Sequence, residues 1–215
     1  MAQVIATAPN RDADAWRGRL SMVQDALLVV VSALFLYVQG SRVIVDHSVA
    51  SLPFAVEQGF LTVLFLTRRR SRATSQDVGA WVAATVGGWG PLLLQPADSN
   101  LSLTVAGLVL QTVGMSLTFV GFGALGRSFG VVAANRGLKT AGPYGIVRHP
   151  IYLSHSLTLT GFLVGNFSWL TLGMYLTIVT AQVARIRAEQ KLLMATTDYA
   201  EYSDRVRWRL VPGLY

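Results

Sequence analysis

The chain contains no cysteine, which excludes disulfides, a cysteine-ligated metal and a catalytic thiol. Charged residues are also few: Asp, Glu, Lys and Arg make up 13% of the sequence, against about 25% in a typical soluble domain. The three histidines, His47, His149 and His155, are scattered and do not follow the spacing of a metal site. We therefore expect no metal, and a protein that is not an ordinary soluble domain.

Apolar residues are abundant instead. They account for 52% of the 215 residues, enough for one domain with five or six membrane segments of about 20 residues each. Backbone groups in lipid must pair within their own segment, so these segments should be helices. The sequence predicts an all-α, polytopic integral membrane protein with six apolar segments, at roughly 22–45, 52–67, 78–95, 101–125, 150–165 and 168–187.

The polar residues divide this chain into three parts. Residues 1–20 form a predicted cytoplasmic tail, 21–125 a four-helix transmembrane part, and 126–215 a loop, a helical hairpin and a C-terminal tail. The last two apolar segments are separated by Asn166 and Phe167 alone, which predicts a tight hairpin.

The basic residues predict the orientation. If all six segments cross, every one of the 18 Lys and Arg residues except Arg42 falls on one side, which the positive-inside rule assigns to the cytoplasm. Both termini are then cytoplasmic, and the membrane is the plasma membrane, the inner one in a bacterium. The basic run 68–72 has no interleaved aromatics, so we expect it to face lipid headgroups rather than nucleic acid.

Two features inside the apolar segments stand out. Gly107, Gly114 and Gly121 are seven residues apart, which places them near one helix face and predicts close helix packing. Glu57 is an ionisable residue within the second segment, near Pro53. It is either a functional residue or a group that reaches the outer interface.

The loop 142–152 is the most informative stretch. Pro150 suits the first position of a helix, so Arg148 and His149 should lie at a helix N-terminus. Unpaired N–H groups and the Arg148 guanidinium there suit a carboxylate or phosphate. Tyr152 lies on the same side as His149, three residues on. The hairpin should return Glu189 to this level, along with its neighbouring arginines.

Two further readings are open here. Arg185 and Glu189 are four residues apart and could pair with each other. The tail 198–215, rich in tyrosine and arginine, fits either a segment at the headgroup level or a cap over the site.

These residues carry a family resemblance. Over residues 120–215 the chain resembles the isoprenylcysteine carboxyl methyltransferases, which are related to the phospholipid N-methyltransferases. The resemblance implies an integral membrane enzyme that transfers a methyl group from S-adenosylmethionine to a lipophilic acceptor entering from the bilayer. The motifs are Gly142-Pro143-Tyr144, Arg148-His149-Pro150-x-Tyr152, Arg187-Ala188-Glu189, Tyr199-x-x-Tyr202 and Pro212.

The resemblance also implies roles for individual residues. Arg187 would hold the polar group of the acceptor, and Arg187 and Glu189 would be the catalytic pair. The chain has Glu189-Gln190 where the family usually has two acidic residues. The residues implied to line the cofactor pocket are Tyr144, Arg148, His149, Tyr152 and Glu189.

The acceptor can be of two kinds. A carboxylate acceptor, which we favour here, needs only a cation such as Arg187. An amine must lose a proton, for which Glu189 or His149 could serve.

Two other functions remain open, and the oligomeric state is not predicted. The ending Arg205–Tyr215 also resembles the membrane sterol reductases, which use NADPH. The missing second acidic residue allows a non-enzymatic lipid-binding protein.

Overall fold

The computed structural model describes residues 11–67, 73–75, 77–97, 100–128, 134–135 and 137–214. Two-residue strands, β1 (Ala73–Thr74) and β2 (Ala134–Asn135), pair antiparallel. All other regular structure in these described ranges is helical, which confirms the predicted all-α class. The α-helices are α1 (Arg11–Ile44), α2 (Leu52–Thr67), α3 (Val78–Trp89), α4 (Leu101–Leu125), α5 (Pro150–Gly165), α6 (Trp169–Thr196) and α7 (Tyr199–Arg205).

Helices α1 to α6 overlap the predicted apolar segments, and their bounds differ at three ends. Helix α3 is followed by a 3-10 turn, Gly90–Leu93, and ends before the predicted position 95. Helix α1 begins at Arg11, so the second half of the expected tail 1–20 is helical, and α6 continues past the predicted end at 187 to Thr196. The predicted segments for α1 and α6 were too short because hydropathy identifies only the apolar part of a helix, and both helices continue into polar sequence. Residues 1–10 and the basic run 68–72 lie outside the described residues.

Three helical stretches are long and apolar enough to cross a bilayer: Ala26–Ile44, Leu101–Leu125 and Trp169–Thr196. Two shorter apolar stretches, Leu52–Thr67 and Val78–Leu93, accompany them. Their outward faces carry large apolar side chains that no other part of the described chain covers, which is the pattern of a protein surrounded by lipid. Examples are Leu27, Val30, Leu34, Val63, Val82, Val105, Val109 and Leu176.

Helices α4 and α5 pack with their backbones in contact. A Cβ added to Gly107 would lie 2.5 Å from the Gly161 carbonyl oxygen, and one added to Gly114 would lie 2.7 Å from the Thr158 nitrogen. At Gly121 the nearest atom would be Ile151 Cγ1, at 2.9 Å. The prediction that the glycine repeat serves close helix packing is therefore confirmed.

Turns at one end of the molecule are tied together by side chains. Arg42 donates to the Leu94 carbonyl (2.9 Å), and the Ala97 N–H donates to Asn166 Oδ1 (3.2 Å). Asn166 lies in the short link between α5 and α6, so these two helices form the predicted hairpin.

The opposite end gathers the polar loops. There β1 pairs with β2, and Asn135 Nδ2 donates to the Thr196 carbonyl at the end of α6 (3.2 Å). The loop before α5 and the chain after α6 lie at this same end, and they form the candidate site.

Candidate functional site

The loop 142–149 leads into α5 through a tight turn. Gly142 has φ 62°, a conformation that favours glycine, and opens a short 3-10 turn that ends at Gly145. Helix α5 then begins at Pro150 with His149 as its N-cap, as predicted. Proline is suited to this position because its fixed φ is helical and it has no N–H to pair.

The chain after α7 pairs with this loop. The N–H groups of Arg148 and His149 donate to the carbonyls of Trp208 and Arg209, both at 2.9 Å, and the Arg148 guanidinium donates to the Arg207 carbonyl at 2.8 Å. The sequence predicted an anion site at this helix N-terminus; the tail occupies the N–H groups of these two residues, and for the first turn of α5 itself the anion site stays a prediction. The tail satisfies those donors, because their position outside the first helical turn lets an extended segment reach them.

The tail also covers the site with two tyrosines of α7. Tyr199 and Tyr202 are buried, and the Tyr202 hydroxyl donates to the Tyr144 carbonyl at 2.7 Å. Their rings contact each other edge to face, with centroids 5.5 Å apart. Of the two predictions for the tail, the structure supports the cap.

Helix α6 brings Glu189 to the start of α5. The Tyr152 hydroxyl donates to Glu189 Oε2 at 3.1 Å, and His149 Nδ1 lies 3.9 Å from the same oxygen. The neighbouring residue takes part as well, since Gln190 Nε2 lies 3.0 Å from His149 Nε2. The hairpin thus joins Glu189 to His149 and Tyr152, as the sequence predicted.

His149 is held neutral. Burial is the main cause that lowers its pKa, and the positive charges of Arg148 and Arg209 lower it further, to about 3. The imidazole is therefore uncharged at physiological pH. The Gln190 amide can then donate to Nε2, which leaves the ring proton on Nδ1, on the side of Glu189. Burial also raises the pKa of Tyr144, Tyr199 and Tyr202, so these phenols are neutral.

Arg185, rather than Arg187, lies in the site. The Arg185 guanidinium carbon is 5.2 Å from the centre of the Tyr152 ring, within cation–π range. Arg187 is exposed and is not part of the cavity wall. Residues two apart on a helix point about 200° apart, so Arg185 shares the face of Glu189 and Arg187 does not. The expected role of Arg187 at the acceptor does not fit this position.

A cavity connects these polar groups with the helices. It encloses about 1200 Å³ of free space, counting the part that is open to the outside. Its polar end is lined by Lys139, Tyr144, Arg148, His149, Tyr152, Arg185, Glu189, Tyr199 and Tyr202. Its apolar end is lined by Leu61, Phe65, Trp89, Phe122, Leu125 and Ile151.

Several polar residues of the cavity wall are absent from the predicted site. Gln58 on α2 and His155 on α5 are two of them, and His155 Nε2 lies 2.7 Å from Glu57 Oε1. Glu57 is buried, so it does not reach the outer interface. The sequence held one signal for His155, its position three residues after Tyr152 on the same helix side, but no local pattern links it to Glu57.

Compared with protein-family models and with curated proteins, the chain matches none. The resemblance therefore rests on the motif residues, most of which lie together in the cavity wall.

Proposed function

We propose that the protein is a membrane-embedded methyltransferase that moves a methyl group from S-adenosylmethionine to a lipophilic acceptor. The main support is the meeting of the loop and α6 at Glu189, in the wall of a cavity with one polar and one apolar end. Tyr152 and Glu189 belong to separate motifs of the resemblance and are in contact in space.

The polar end has groups that complement S-adenosylmethionine, which supplies an activated methyl group on a sulfonium sulfur. The Nε of Arg148 is buried and has no hydrogen-bond partner among the described residues, and a guanidinium suits the carboxylate of this molecule. The Glu189 carboxylate suits its ammonium group or ribose hydroxyls. The rings of Tyr199 and Tyr202 suit a cation or a flat heterocycle.

The protein's part in such a reaction is alignment and exclusion of water, because methyl transfer is an in-line displacement. Alignment falls to the hydrogen-bonded group of Tyr152, Glu189, His149 and Gln190. Exclusion of water falls to the tail, through the pairing at Arg148 and the buried tyrosines of α7.

The apolar end suits the lipophilic part of an acceptor that enters from the bilayer. Its wall comes from α2, α3, α4 and α5, whose outer surfaces are apolar. We propose that all six long helices lie in the plasma membrane with both termini cytoplasmic, because the six-segment topology places nearly all basic residues on one side.

Ligand binding to the purified protein in detergent tests the proposal. We expect S-adenosylhomocysteine, the demethylated product, to bind with micromolar or better affinity in calorimetry. Glu189→Gln should weaken binding by about 10-fold or more, the usual effect of losing a charged hydrogen-bond partner. The matched control Glu201→Gln, which changes an exposed carboxylate on α7, should bind as the wild type does.

The other outcomes identify the competing functions. Binding of NADPH without binding of S-adenosylhomocysteine would favour a reductase. Binding of neither nucleotide would overturn the enzyme proposal and leave a lipid-binding protein.

A further inference from the structure

His155, which lines the cavity, contacts a buried carboxylate that the cofactor site does not use. Glu57 on α2 and His155 on α5 approach to 2.7 Å between Oε1 and Nε2, and the side chains are 8% and 20% exposed. A buried carboxylate among apolar helices is costly even when paired. A pair of apolar residues would stabilise the contact between α2 and α5 at less cost, so the pair calls for a functional explanation.

His155 is placed to contact a ligand in the cavity. It lies three residues, about 4.5 Å along the axis, beyond Tyr152, which contacts Glu189. Its Nε2 lies 2.7 Å from Glu57 Oε1 but outside hydrogen-bond geometry, so the contact is one of charge and distance, and its Nδ1 makes no hydrogen bond to the described residues. Because Nε2 faces a carboxylate, the proton of a neutral ring belongs on Nε2, and Nδ1 is a hydrogen-bond acceptor.

Gln58 adds a second group of the same kind. It is 5% exposed and lines the cavity, and its Oε1 is buried with no hydrogen-bond partner in the described part of the chain. An unsatisfied buried amide oxygen costs about 1–3 kcal/mol, which a ligand with a donor group would remove. His155 Nδ1 and Gln58 Oε1 are both acceptors, so this part of the cavity favours a ligand with a hydrogen-bond donor. The negative charge of Glu57 nearby disfavours a ligand that carries a carboxylate.

We propose that the Glu57–His155 pair is the general base for the acceptor, and that the acceptor carries a weakly acidic O–H or S–H group, of the phenol or thiol type. This inference rests on the proposed methyltransferase function and names its acceptor class. The acceptor oxygen or sulfur forms the new bond to the methyl carbon, and the carbon–sulfonium bond breaks with its electron pair left on sulfur. The acceptor's proton goes to His155 Nδ1, and Glu57 stabilises the resulting imidazolium.

This class differs from the carboxylate acceptor expected from the resemblance. A carboxylate has no proton to lose and needs a cation. Arg187 lies outside the cavity wall, and the cations that line it, Lys139, Arg148 and Arg185, belong to its polar end. His149 is not an alternative base, since Gln190 occupies its Nε2 and its low pKa makes it a weak base.

The test uses 4-octylphenol, its methyl ether 4-octylanisole and decanoate as probes, with the detergent-purified protein and S-adenosylhomocysteine or S-adenosylmethionine. We expect the wild type to bind the phenol at least about 10-fold more tightly than the ether, the effect of a hydroxyl hydrogen that satisfies one buried acceptor. Trp89 in the cavity wall reports binding by its fluorescence. The wild type should methylate the phenol and not decanoate.

Glu57→Gln keeps the size of the side chain and removes its charge. Methylation of the phenol should fall by about 100-fold or more, as for loss of a general base, with binding of S-adenosylhomocysteine within twofold of the wild type. That retained binding also shows that the variant folds. The double variant Glu57→Gln/His155→Phe should lose the preference for the phenol over the ether, and Glu201→Gln should change none of these values.

The outcomes separate the two proposals. Failure of the wild type to bind S-adenosylhomocysteine overturns both. If it binds, then methylation of decanoate at the rate of the phenol, or undiminished phenol methylation in Glu57→Gln, overturns the acceptor class and leaves the methyltransferase proposal standing.

Discussion

At the scale of single residues, the position of a side chain around a helix decides what it can do. Arg185 and Glu189 share one face of α6, over Tyr152, while Arg187 is exposed on another. The motif of the resemblance names the exposed arginine, and the geometry favours its neighbour one half-turn earlier.

This difference predicts opposite results for two alanine substitutions. Arg185→Ala removes the cation that stacks on the Tyr152 ring. It should weaken S-adenosylhomocysteine binding by about 10-fold, because the site loses both a partly buried cation–π contact and a positive charge. Arg187→Ala should change it less than twofold. Calorimetry on both variants, with matched thermal unfolding curves as a folding check, makes the comparison. The reverse order would restore Arg187 as the site arginine.

The sequence predicted the site residues better than their contacts. The family resemblance implies that Tyr144, Arg148, His149, Tyr152 and Glu189 share one pocket. All five line the cavity, because the short hairpin returns α6 to the level of the loop before α5. The rotation of α6 about its own axis decides which of its arginines faces the site. It depends on how α6 packs against α3 and α5, and no local sequence pattern predicts that packing.

Two other contacts were equally hidden from the sequence. Glu57 and His155 belong to helices that are distant along the chain, so their approach follows from tertiary packing alone. The pairing of Arg148 and His149 with Trp208 and Arg209 is extended backbone pairing, which has no side-chain signature.

At the scale of elements, the α4–α5 contact is the part of the fold that the sequence predicted most directly. A regular glycine spacing has one physical use in an apolar helix, close approach of another backbone, and each of the three glycines faces α5. The ends of the helices were less predictable, because α1 and α6 extend into polar sequence.

The same contact gives a matched pair of stability variants. Gly114→Ala places a Cβ 2.7 Å from the Thr158 nitrogen and 2.8 Å from the Ser154 carbonyl oxygen, so it should destabilise the protein by about 1–3 kcal/mol. Gly123→Ala, on the same helix with nothing within 4 Å, should stabilise by up to about 1 kcal/mol. Thermal unfolding in one detergent measures both. Equal midpoints for the two variants would contradict the packing account.

At the scale of the whole molecule, the two ends differ in chemistry. One holds the turns tied by Arg42 and Asn166, and the other holds the loop, the tail and the polar end of the cavity. A membrane protein with six crossings would present these ends to opposite sides.

Because the chain has no cysteine, single-cysteine variants can test this arrangement directly. Asp46→Cys and Asp204→Cys lie in exposed positions at the two ends. In a bacterial host, a membrane-impermeant thiol reagent should label Asp46→Cys in intact spheroplasts and Asp204→Cys in inverted vesicles. Labelling of both from the same side would rule out the proposed topology.

The backbone contact between α4 and α5 also bears on how a lipophilic molecule reaches the cavity. Where backbones touch at Gly107 and Gly114, no layer of side chains lies between the helices to rearrange. Between α2 and α4, in contrast, Phe60 packs edge to face on Phe119 and Phe122, with centroids 4.8 and 5.9 Å apart. We expect passage from the bilayer on this side, by rotation of aromatic rings rather than by separation of helices.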